Sequence, residues 1–308
     1  MIIKMKKAFS MVELVFVIIV LGIVASIGAS IIAKTYETYI VQKATYNASM
    51  KTELAALQIA QRLSYSIPWS IVVKQDDNVT YKRLSKLEAG DAGEDYITLE
   101  WIGIDNDSFS ASTPPGWSGY CDIDTSTTAQ CETQGSKLSD ADTVIGNLSD
   151  GKVAFGGGNS PAVFFKVNQY DSNTSYAPEC VGLVDTNTSC TIPAGRNGDT
   201  ILTFGGGNKY RAEHYALSWS AYAIVPENGK DTDGDGHNDL HDLYLYYNYQ
   251  PWMIGAQFST GTKSLLINNV SVFKMNAFAN TVRFKICIKQ FIGDDLPITI
   301  CKEKAVVR

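Results

Sequence analysis

At 308 residues, 45% hydrophobic and 19% charged, with a formal net charge of −6, the chain is too apolar to be disordered and long enough to bury a substantial core. The acidic balance argues against nucleic acid as the main partner, since phosphate binding needs a basic face. No strongly basic cluster occurs in the sequence beyond Lys4, Lys6 and Lys7.

Those lysines sit in the opening MIIKMKKA, which holds no acid and is followed by an apolar run from Phe9 to Ala33 in which Glu13 is the only charge. A run of this length can cross a bilayer core of about 30 Å at about 1.5 Å per residue, and it exceeds the roughly 7–15 apolar residues of a secretory signal. It predicts a retained anchor, N-terminus in the cytoplasm by the positive-inside rule and the rest of the chain outside. An ionisable group in such a helix costs roughly 2.5–3.5 kcal/mol at the membrane centre and less near the end, where Glu13 lies, so a compensating partner is expected.

The stretch KKAFSMVELVFVIIVLGIVASIG closely resembles the N-terminal segment of type IV prepilins and of type II secretion pseudopilins. The resemblance implies residues 1–8 as a leader, cut between Ala8 and Phe9 by a prepilin peptidase/methyltransferase that also N-methylates the new terminus. Glu13 then becomes the fifth mature residue, where the family carries its glutamate. Ala8 stands where the family usually has glycine, and Ser30 where it often has proline. The electrostatics agree: in a stack of parallel anchors, Glu13 of one subunit can approach the Phe9 amine of the next. Two unit charges at about 4 Å attract by about 4 kcal/mol at an effective dielectric of about 20, before desolvation. Residues 9–33 would thus be membrane helix first and filament core later, with inner-membrane lipid and then other pilin-like subunits as partners.

Residues 34–64 continue the helix, because Tyr36, Ile40, Met50, Leu54 and Leu57 recur at helical multiples and no proline intervenes before Pro68. From Phe9 to about Ser64 this makes one helix of roughly 80 Å. Its later apolar stripe is expected to pack against a globular outer domain spanning 65–308. Within that domain TYKRL and YITLEWIGI read as strands, followed by a polar loop with Pro114 and Pro115. DGKVAFGGGN and NGDTILTFGGGN form a weak repeat, each a short strand entering three glycines; neither precedes Lys-Ser or Lys-Thr, so a tight turn is expected rather than a phosphate cradle. The last hundred residues predict an antiparallel meander: YALSWSAYAIV, DLYLYYNYQ, SLLINNVSVFKM, TVRFKICIKQ and ITICKEKAVV. Helix followed by meander predicts an α+β fold with the helix covering one sheet face, the shape the pilin resemblance also implies.

Six cysteines fall into sequence-local pairs, Cys121 with Cys131, Cys180 with Cys190 and Cys287 with Cys301. An even number outside the membrane suggests disulfides, and a turn centred on Asp294 sets Cys287 opposite Cys301; zinc competes weakly, since no Cys-x-x-Cys occurs. DTDGDGHNDLHD places Asp231, Asp233, Asp235, Asp239 and Asp242 at positions 1, 3, 5, 9 and 12 of a loop resembling EF-hand and dockerin calcium loops. Gly236 falls at the sharp turn, and His237 would offer its carbonyl. Mutually repelling carboxylates need a hard dication, so structural Ca2+ is expected, against the plainer reading of a solvated Asp-Gly turn. His237 and His241 have a zinc-like spacing, but Asn238 follows where a metalloprotease needs glutamate. No nucleophile elbow is present and His214 reads as an ordinary polar residue beside a strand, so no enzyme is expected. The sequence therefore predicts a filament subunit, minor or at the tip given its large outer domain; a membrane-anchored calcium-dependent adhesin or lectin acting alone is the alternative.

Overall fold

The computed structural model describes residues 10–76, 79–87, 96–166, 176–205, 212–232, 234–253, 257–278, 280–292 and 296–307. A single helix, α1 (Met11–Ser64), opens the chain, capped by Ser10, whose hydroxyl accepts the Glu13 N–H at 3.3 Å. It passes through Gly22 and Gly28 without a break, and the Ser30 hydroxyl donates back to the Ile27 carbonyl at 2.8 Å. Proline is absent from this stretch, so every backbone N–H past the first turn can find its partner one turn back.

Beyond α1 come β1 (Val72–Lys74), β2 (Tyr81–Arg83), β3 (Thr98–Ile102), α2 (Asn106–Ser110), β4 (Asp122–Thr127), β5 (Gln130–Glu132) and α3 (Leu138–Leu148). Then follow β6 (Ala162–Phe165), β7 (Ile192–Asn197), β8 (Ile201–Phe204), β9 (Tyr215–Ser218), β10 (Ala221–Lys230), β11 (Leu240–Tyr249), β12 (Thr262–Phe278), β13 (Thr281–Ile292) and β14 (Leu296–Val307). Among the described residues these form an eight-stranded sheet, β14-β13-β12-β11-β10-β3-β1-β2, and a six-stranded sheet, β4-β5-β8-β7-β6-β9, antiparallel throughout. The fold is α+β, with the helix on the meander as expected.

The two sheets stack between two helices. One core joins α1 to the large sheet through Ala55, Ile59, Leu63, Phe284, Ile286 and Ile288. A second lies between the sheets, where Ala162 and Phe164 of β6 meet Ala221 and Ala223 of β10. A third packs Leu138 and Ile145 of α3 against Val163 and Phe165, the opposite face of β6. Buried on both faces, β6 has no polar side and reads as a continuous apolar run.

Two sequence expectations are corrected here. YALSWSAYAIV is not one strand: β9 pairs with β6 and β10 with β3 and β11, so the chain changes sheets at Trp219–Ser220. Of the two glycine segments, only the second carries a strand, β8; in the first, the Gly157 N–H closes a turn on the Ala154 carbonyl at 3.1 Å, with Gly156 at φ 71°. The sheet also gathers charge that is dispersed in sequence. Lys274 stands opposite Lys285, and Arg283 opposite Asn276, giving three exposed cations on the face of β12 and β13 turned from α1.

All three predicted disulfides form, Cys121–Cys131, Cys180–Cys190 and Cys287–Cys301. The last bridges directly opposed residues of β13 and β14, as the hairpin reading requires; its turn, Gly293 to Asp295, lies outside the described residues.

Candidate functional site: the long helix and the acidic loop

The α1 surface divides along its length. From Met11 to Ile32 the large apolar side chains are exposed, and among the described residues none of this apolar stretch is buried. By length and composition this segment can cross a membrane. Glu13 lies exposed in the first turn, where the partial positive charge of the helix end favours a carboxylate. Ala8 and Phe9, the expected processing site, lie outside the described residues.

Docking begins at Ala48, and here the sequence expectation fails. Tyr36, Ile40, Met50, Leu54 and Leu57 remain exposed, while the buried face is Ala48, Thr52, Ala55, Ala56, Ile59 and Leu63. Small side chains let the helix approach the sheet closely, and Thr52 satisfies its buried hydroxyl on the Ala48 carbonyl at 2.7 Å. Met50 and Leu54 are each two positions from a docked residue, about 200° around the helix, so they point away from the domain. Polar contacts set the crossing: Glu53 bonds Lys304 and lies 3.9 Å from Lys302 on β14, and the Tyr65 carbonyl accepts the Ile104 N–H at 2.6 Å just after β3. The Lys304 hydrogen bond holds the Glu53 carboxyl below the usual range.

The acidic loop joins β10 to β11. Asp231 accepts the N–H groups of Gly234 and Gly236 at 2.6 and 2.9 Å, and those glycines take φ of 82° and 89°, a left-handed conformation that side chains disfavour. Asp235 accepts the His237 N–H at 2.8 Å, and Asp239 folds back onto the Thr232 N–H and hydroxyl at 2.9 and 2.6 Å. Asp242 belongs to β11 and is engaged on the sheet side, by the Asn228 amide at 3.2 Å, the Asn269 N–H at 3.3 Å and the Lys230 ammonium at 3.8 Å. Asp233 lies outside the described residues. Among the described residues no three His, Cys, Asp or Glu side chains converge as a metal cluster. The hard oxygen donors and the wrap of Asp231 around Gly236 suit calcium; a closed ring would need Asp242 to exchange its sheet-side partners for the ion.

Inside the domain a buried ionic group ties the sheet to its loops. Lys74 Nζ lies 2.5 Å from Glu100 Oε2, off hydrogen-bonding angles, and donates to the Leu183 carbonyl at 2.7 Å; the Tyr249 hydroxyl donates to Glu100 Oε1 at 2.9 Å. Burial, then the neighbouring Glu100 charge, pushes the Tyr249 phenol well above its ordinary range. No sequence motif marks this group or the cavity beside His214, because β1, β3 and β11, like the cavity walls, are joined only by the fold.

The chain matches no family model, no curated protein and no solved structure. Its architecture is nonetheless pilin-like: a long apolar N-terminal helix packed on antiparallel sheets, carrying a disulfide-bonded domain.

Proposed function

We propose that this chain is a non-enzymatic structural subunit of a type IV pilus or type II secretion pseudopilus. It is held as a single-pass protein of the bacterial inner membrane with its domain in the periplasm, then drawn into a filament after cleavage at Ala8–Phe9 and N-methylation. The observation that carries the reading is the length over which α1 stays apolar and uncovered. A helix of about 81 Å outreaches a bilayer core of about 30 Å, so lipid can cover Met11 to Ile32 but leaves Met50, Leu54 and Leu57 in water. Parallel copies in a helical filament would cover both stretches and bring Glu13 to a neighbour's terminal amine. The large outer domain suits a minor or tip subunit.

Within this reading Asp231, Asp233, Asp235, the His237 carbonyl, Asp239 and Asp242 hold a structural Ca2+. The ion would neutralise the carboxylates and stiffen the β10–β11 loop. N-terminal mass spectrometry of the mature protein tests the whole: N-methylated Phe9 is expected, and an intact Met1 in assembled material would overturn it. A Glu13→Ala variant is expected to insert in the membrane yet enter filaments poorly.

A further inference from the structure

Between α2, the loop after Pro115 and the facing ends of β6 and β9 lies a cavity of about 330 Å³. Its base is aromatic and locked. The Trp117 indole donates to the Asp105 carbonyl at 2.8 Å, meets Phe109 edge-on at 5.1 Å and leans on Tyr215 at 5.7 Å. Tyr215 turns its hydroxyl away, to Thr133 at 2.8 Å, leaving carbon toward the cavity. Phe109, 40% exposed, forms the outer wall.

The rim has a different character. Lys166, His214 and Asn106 line it, and no carboxylate is among the described lining residues; Asp107 and Glu213 adjoin the site in sequence without lining it. Neither the Lys166 ammonium nor the Asn106 amide has a side-chain hydrogen bond or ion pair with a described residue, and the His214 ring meets the Tyr120 ring edge-on at 6.3 Å. Ligand pockets of this kind are concave, mostly apolar and furnished with a few convergent polar groups, at volumes of about 300–1,000 Å³. An aromatic base accepts the C–H face of a ring, an ammonium beside an imidazole N–H donates to a carboxylate, and a free amide serves hydroxyl groups as both donor and acceptor.

We infer that this cavity binds a carboxylate-bearing sugar ring of the uronic-acid class, its ring face against Phe109 and Trp117, its carboxylate at Lys166 and His214, and its hydroxyls at Asn106. This goes beyond the assembly reading and does not rest on it. The test uses the full chain in a sugar-free detergent, titrated with galacturonate by calorimetry. Saturable binding is expected, weakened about tenfold or more by Lys166→Ala with unchanged melting and by Phe109→Ala in protein that is still folded at the temperature of titration, and galactose is expected to bind about tenfold more weakly than galacturonate. No saturable binding, equal affinity in Lys166→Ala, or galactose or benzoate binding as tightly as galacturonate would each overturn it. Filament incorporation of Lys166→Ala, expected to be normal, separates this result from the fate of the assembly reading.

Discussion

Leu54 and Ala56 are near neighbours on α1 but face opposite ways, 54% and 0% exposed respectively, and substitutions at the two positions separate assembly from folding. Burying a whole leucine side chain is worth about 1.5–3 kcal/mol, so the half of Leu54 left uncovered offers about 1 kcal/mol to a packing neighbour. Leu54→Asp forfeits that and places a carboxylate in the contact, at about 2 kcal/mol or more if unpaired. The sum, about 3 kcal/mol, corresponds to a loss of about 150-fold in incorporation, whereas the isolated protein should lose about 1 kcal/mol or less, from the half of Leu54 already covered. Ala56→Leu does the reverse. Its added carbons enter a closed helix–sheet contact and should cost about 1–3 kcal/mol, or about 2–12 °C in Tm. Immunoblots of sheared filaments read incorporation, and circular dichroism of the detergent-solubilised chain reads Tm. Normal incorporation of Leu54→Asp, or a loss of Tm as large as that of Ala56→Leu, would refute the assignment of the outer stripe to subunit packing.

Glu100→Ala should destabilise by about 3–5 kcal/mol in denaturant unfolding, because the Lys74 ammonium is left buried without its counter-charge, while the pair change Lys74→Met with Glu100→Leu should recover most of the loss. A single variant as stable as the native chain would contradict that account. Burial, against two hydrogen bonds from Ser108, raises the Asp105 carboxyl from 3.8 to about 6. The native state then holds its proton longer than the unfolded chain, so Asp105 makes stability fall as pH rises between about 4 and 6, by up to about 3 kcal/mol, and contributes no further slope above that window. Relative to the native chain, Asp105→Asn should therefore gain stability across that window; parallel pH profiles would argue against the assignment. For the acidic loop, Tm should rise with calcium and fall with chelator, the gain reaching about 2.7 kcal/mol at a hundredfold excess over Kd, and identical melting in both would remove the metal.

Features governed by neighbours along the chain are legible from the amino-acid sequence alone. The unbroken α1 follows from apolar residues without proline, the Cys287–Cys301 bridge from the symmetry of one hairpin, and β11 to β14 from period-two alternation such as Val282, Phe284, Ile286 and Ile288. In each case the deciding interaction spans a few residues or one turn. The docked face of α1 is not legible in that way, since hydrophobicity points to the large residues Met50, Leu54 and Leu57 while close approach to a sheet selects Ala48, Ala55 and Ala56. Nor is the change of sheet at Ser220, the buried pairing of Lys74 with Glu100, or the meeting of Phe109, Lys166 and His214 around one cavity. Local pattern decides which segments are helix or strand. Which faces then meet depends on closing long loops and filling a shared core, a balance that belongs to the whole chain and exists only once it has folded.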